Sequence, residues 1–217
     1  MLDTSKIYNS NNFGDFKVLS YFNNNSVEIE FLETGYKTTT QADQIRNGGV
    51  KDKLMPNVQG VGFIGDGEHK AVVNGKPTKT YDTWHSMMTR CYCPKYQIKQ
   101  PTYIDCTVDP IWHNFQNFAK WFDENYIEGY ELDKDIKIYG NKIYSPDNCL
   151  FVSHKENIIK AQAKHYVFTS PEGIKVNVYN LAEFCRENGL NQGNMTQVVN
   201  GERGHHKQWT KHFEKIN

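Results

Sequence analysis

Two asparagines eleven residues apart, Asn180 and Asn191, each open a short segment with helical apolar spacing, and a glycine closes each segment. Leu181, Ala182 and Cys185 share one face of the first segment, and Met195, Val198 and Val199 share one face of the second. An asparagine side chain at the cap accepts a hydrogen bond from an orphan N–H, and glycine takes the left-handed turn that ends a helix. The pattern predicts two short helices joined through Gly189-Leu190 and ended at Asn200-Gly201. Upstream, Ser170-Pro171-Glu172-Gly173 is a turn between a strand and a second strand over Ile174 to Val178, and a last strand follows the helices. Residues 163–217 therefore read as a hairpin plus a helix-turn-helix module. In such a unit the second helix carries side chains to base edges. Gln192, Asn194, Thr196 and Gln197 are the candidates on that helix, and Arg203, His205, His206, Lys207 and Lys211 follow as candidates for backbone phosphates.

Charge has to be judged by region. The 25 Lys and Arg equal the 25 Asp and Glu, which argues against a whole-surface polyanion binder. From Lys160 onward, however, eight basic residues face five acidic ones, with four of the eight histidines. No apolar stretch of membrane-spanning length occurs and the N-terminus has no apolar signal core, so a soluble intracellular protein is expected. Five cysteines, an odd number without an export signal, are expected to be reduced thiols. Cys91, Cys93, Cys106 and Cys149, with His113, could supply a structural Zn²⁺ site, but no C-x-x-C pair exists and buried thiols are the simpler reading.

The fold class is α+β, in three parts: a β-rich domain over 1–75, a helix-led ββα domain over 76–162 and the tail module over 163–217. Residues 13 to 40 alternate as a meander, with Val27, Ile29 and Phe31 on one face and Glu28 and Glu30 on the other. Gln41 to Asp52 holds a short helix, Val61 to Gly65 a closing strand, and Asp66 to Lys79 a linker. The run Gly60 to Gly65 superficially suggests a nucleotide loop, yet it has no P-loop lysine. Helices are predicted from Thr80, with Tyr81, Trp84, Met87, Met88 and Cys91 on one face, and over Pro110 to Asn125, with Trp112, Phe115, Phe118, Ala119 and Phe122 as a core stripe. A strand after Gly129, a loop with Gly140 and Pro146, a strand Cys149 to Val152 and a helix capped by Ser153 with Glu156 complete the middle part.

The run from Ser170 to Thr210 resembles the C-terminal repeat module of bacteriophage intron-encoded homing endonucleases in its S-P-x-G turn, its Gly-Leu between the helices and the aromatic of its closing strand. The middle part resembles the HNH, or ββα-metal, nucleases of the same group. The matching residues are Tyr81, Trp84, Met87 or Met88, Arg90 and Cys91, then Trp112, Phe115 and Phe118, then Leu132, Asp133, Tyr144, Pro146, Asn148, Cys149 and Asn157. The resemblance implies a phage-encoded endonuclease acting on double-stranded DNA in the host cytoplasm. It assigns Asp133 and Asn157 to a single Mg²⁺ or Mn²⁺ and Asn148 to pinning the loop between strands. Hard oxygen ligands suit such an ion, which stabilises charge on a leaving phosphate oxygen. The family's histidine falls at position 134, where this chain has Lys134. A lysine is a base only when desolvation strips its proton, so Lys134 is better suited to clamping a phosphate, and His154, His85 and His113 are candidates for a displaced base. Two other readings stand beside the nuclease: a catalytically inactive DNA-binding repressor or interference protein derived from one, and a protein-docking module. No feature specifies an oligomer, and a monomer is the working expectation.

Overall fold

In the computed structural model, which describes residues 2–138, 140–162 and 165–212, the chain divides into two compact units. The first comprises Met1–Glu128 with Leu132–Phe151, and the second Gly129–Glu131 with Val152–Asn217. Residues 1–75 and 76–128, expected as parts of separate domains, thus fall in one unit.

The first unit opens with an antiparallel meander of β1 (Ile7–Ser10), β2 (Gly14–Asn23), β3 (Ser26–Phe31) and β4 (Lys37–Thr40), followed by α1 (Ala42–Arg46). Strict alternation along β3 turns Val27, Ile29 and Phe31 inward, where they meet Phe16, Val18, Ala42 and Ile45. Burying each large apolar side chain contributes about 1.5–3 kcal/mol, enough in sum to hold a small sheet under one short helix. On the opposite face Glu30 pairs with Lys17 at 2.8 Å and Lys37 at 3.7 Å.

The Val61–Gly65 run does not close the meander. Phe63 N donates to His113 O and Phe115 N to Phe63 O, both at 2.9 Å, so the segment is stitched to the chain leading into a helix. A Cβ on Gly62 would come within 2.8 Å of the Trp84 ring and 2.9 Å of the Met88 methyl. The glycine lets backbone lie flat against a helix, which explains the Gly-rich run without a nucleotide. The expected linker carries a small hairpin, β5 (Val72–Val73) with β6 (Lys76–Pro77).

Thr78 caps α2 (Lys79–Tyr92), which buries Trp84, Met87, Met88 and Cys91, and Pro94 starts α3 (Pro94–Lys99). β7 (Thr107–Val108) follows. The next helix begins later than its periodicity suggests: Pro110–Trp112 forms a 3-10 turn capped by Asp109, and Asn114 then caps α4 (Phe115–Asn125). Its stripe is core as expected, and Trp84 Nε1 donates to Trp112 O at 2.7 Å to tie α2 to it. β8 (Glu131–Asp133) pairs with β10 (Leu150–Val152), while the intervening β9 (Ile143–Tyr144) runs parallel to β7.

In the second unit α5 (His154–Gln162) starts with a capping box: Ser153 N donates to Glu156 Oε2 at 2.8 Å and Glu156 N to Ser153 Oγ at 3.2 Å. Beyond it lie β11 (Tyr166–Thr169), β12 (Lys175–Val178), α6 (Leu181–Glu187), α7 (Gln192–Asn200) and β13 (Thr210–Lys211), with strand order β12-β11-β13. Phe168, Val178, Leu181, Cys185, Met195 and Val198 form the core, edged by Phe184 and Trp209. Asn180 and Asn191 cap α6 and α7 through Glu183 N and Asn194 N, and Gly201 ends α7 in the left-handed region.

Candidate functional site

The residues singled out in the ββα region take different roles. On β8, Asp133 Oδ1 accepts from Asp135 N at 2.9 Å and Ile136 N at 2.7 Å, so the carboxylate shapes the turn that leaves the strand. Lys134 points the other way. It is 8% exposed, and its Nζ donates to Asn141 O at 2.9 Å and pairs with Asp135 Oδ2 at 3.1 Å, 5.9 Å from the Tyr144 ring centroid. Asn141 returns the contact by donating Nδ2 to Lys134 O at 2.6 Å and Ile143 O at 2.7 Å. Lys134 and Asn141 therefore clasp the two ends of the loop between β8 and β9. Both contacts use Nζ as a donor, so the side chain serves the loop rather than a reacting group.

Asn148 sits in a tight turn whose ends are joined by Cys149 N to Ser145 O at 3.0 Å, and its own N–H donates to Ser145 Oγ at 3.2 Å. Burial pushes the Cys91 and Cys149 thiols up to about 12, so both are protonated packing groups beside the buried Cys106. His113 Nε2 faces Val108 O at 3.1 Å and the Tyr92 hydroxyl at 3.3 Å, and His85 is exposed beside the Tyr81 ring. Among the described residues no group of three or more His, Cys, Asp and Glu side chains is arranged to hold a metal ion, so the zinc alternative finds no ligand set there.

A cluster forms at the start of α5 around a residue absent from the sequence-derived set, Glu131. Its Oε1 lies 3.0 Å from His154 Nδ1, and its Oε2 accepts from Asn157 Nδ2 at 2.6 Å. His154 and Asn157 are three residues apart on a helix and so share a face. Glu131 and Asp133 are two apart on one strand and likewise share a face. Because a carboxylate only accepts, Asn157 must present its NH₂ to Glu131 and its carbonyl oxygen elsewhere. The i, i+3 pairing of His and Asn and the i, i+2 pairing of Glu and Asp were the available signals for this cluster, though nothing in the sequence pairs the strand with the helix.

In the tail, Gln192, Thr196 and Gln197 are exposed on α7, as is Asn200, which the sequence pattern did not single out. Thr196 Oγ1 donates back to Gln192 O at 2.9 Å. Asn194 turns toward His206, its Nδ2 lying 3.5 Å from Nδ1. His206 Nε2 in turn accepts from Asn191 N at 3.1 Å at the start of the helix. Partial burial and then the positive charges of Arg203, Lys207 and His205 hold His206 below the usual imidazole range. Lys207 Nζ donates to Gly189 O at 2.7 Å, Lys211 Nζ to Val199 O at 2.9 Å and Arg203 Nε to His205 O at 2.9 Å. The two lysines thus cap the C-terminal ends of α6 and α7. His205 is exposed on the same loop.

No family model and no curated protein matches the chain. A solved structure of the HNH homing endonuclease I-HmuI, concerning its DNA binding and cleavage, aligns over 93% of this chain and 98% of that one at 18% identity, with a TM-score of 0.24. So low a score carries no weight for fold or function. No described helix is long and apolar enough to cross a membrane.

Proposed function

We propose that the protein is a metal-dependent DNA endonuclease of the HNH type that holds duplex DNA through its tail module. The observation that carries this reading is the cluster at β8 and α5, where the Glu131 carboxylate bridges an imidazole and a primary amide. By the HNH pattern Asp133 would offer carboxylate oxygen and Asn157, whose NH₂ is committed to Glu131, amide oxygen; both are hard donors of the type a divalent cation takes. When bound, such a cation supplies Lewis-acid stabilisation of the charge that develops on the phosphate. The protein's own groups orient these oxygens. Glu131 fixes the Asn157 amide, the Asp135 and Ile136 N–H groups fix the Asp133 carboxylate, and the Lys134–Asn141 clasp fixes the loop that follows. In the tail, Gln192, Thr196, Gln197 and Asn200 form a polar helix face suited to base edges, and Asn194 supports that face through His206. Lys207 and Lys211 place exposed ammonium groups at the ends of the two helices, the charge type that meets backbone phosphates.

Supercoiled plasmid and the source genome, incubated with the protein and Mg²⁺ or Mn²⁺ beside an Asp133→Ala control, test the reading. Metal-dependent nicking lost in the control is expected. Salt-sensitive DNA retention with no nick on either substrate would instead establish a DNA-binding protein without cleavage, the reading favoured by the structural use of Lys134 at the position of the family's histidine.

A further inference from the structure

Lys134 leaves the hydrolytic step without a proton acceptor, and the Glu131–His154 pair has the geometry to supply one. We propose that His154 is the general base of this site and that Glu131 is its positioning residue, an inference that rests on the endonuclease reading. A carboxylate oxygen 3.0 Å from Nδ1 selects the tautomer that carries its proton on Nδ1, which leaves the Nε2 lone pair as the acceptor. The same carboxylate spends its second oxygen on Asn157, so one acidic side chain sets both the base and the amide. His154 is the first residue of α5 and its side chain is 72% exposed, so a phosphodiester and a water can reach it. Glu131 is held from the strand side and His154 from a helix whose start is locked by the Ser153–Glu156 capping box. Among the described residues His85 and His113 have no carboxylate in this relation: one lies beside a tyrosine ring, and the other is held by a backbone carbonyl and a phenol.

In the step assigned to the pair, Nε2 of His154 takes a proton from water as the water oxygen bonds to phosphorus. One phosphorus–oxygen ester bond breaks, and the departing oxygen is protonated by solvent. The imidazolium then returns its proton to bulk water, so no redox partner is needed.

The test compares nicking rates and filter retention of DNA for the full chain and three variants, with Mg²⁺ throughout. His154→Gly should lose nicking by about 100-fold or more while retaining DNA, and added imidazole should restore part of the rate. Glu131→Gln should lose about tenfold, and Glu131→Asp should recover some of that loss. Nicking that survives His154→Gly within about threefold, or a lost rate that imidazole leaves unmoved, overturns the base assignment while the endonuclease reading stands. Absence of nicking by the unaltered chain overturns both.

Discussion

The loop after β8 and the loop after α7 use the same contact, a lysine ammonium on a backbone carbonyl, in opposite surroundings. Lys134 makes it almost fully buried, alongside an acidic partner and an asparagine that closes the ring. Lys207 and Lys211 make it in the open, each on the end of a helix. Water competes poorly for the first and freely for the second. The difference teaches that a basic residue beside a functional region has two fates: buried, its charge is consumed by the fold, and exposed, it caps a helix while its charge still faces solvent.

The comparison breaks most sharply at Lys134. Replacing it with alanine leaves Asp135 and the Asn141 carbonyl without their cation, and about 2–3 kcal/mol of stability should be lost, read as a shift in the urea midpoint. A value below about 0.5 kcal/mol would mean the clasp contributes no more than a surface contact. Lys134→His, the change that would restore the residue expected from the HNH pattern, should destabilise similarly, because an imidazole is too short to span to Asn141.

Asn191→Ala should cost about 1 kcal/mol through loss of the α7 cap, and DNA retention should fall with it. Lys207→Ala should change stability by less than about 0.5 kcal/mol yet lower the slope of DNA affinity against salt by about one counterion. An unchanged slope would confine Lys207 to its helix-capping role.

The smallest expected effect is on acidity. Folding favours neutral His206, so the contact from Asn191 N to Nε2 contributes fully above the ordinary imidazole value of about 6.5 and is lost as pH falls through the lowered folded value. Thermal melting of the unaltered protein should decline slightly more between pH 7.5 and pH 5 than that of His206→Asn. Equal declines would remove His206 as the cause.

Local pattern was enough for much of the molecule. The alternation Val27-Glu28-Ile29-Glu30-Phe31, the aromatic stripe from Trp112 to Phe122, the caps at Asn180, Asn191 and Ser153 and the glycine after α7 are each encoded in the spacing and chemistry of a few consecutive residues, so their consequences could be read in order along the chain. That order also placed Gln192, Thr196 and Gln197 on an exposed helix face. Tertiary structure alone decided three things: that Val61 to Gly65 lies against Trp84 rather than closing the meander, that Lys134 turns inward, and that Glu131 meets His154 and Asn157 across more than twenty residues of chain. The physical reason is common to all three. A short apolar run, a lysine and a glutamate have no preferred partner until packing supplies a particular ring, carbonyl or imidazole, and periodicity encodes none of those partners.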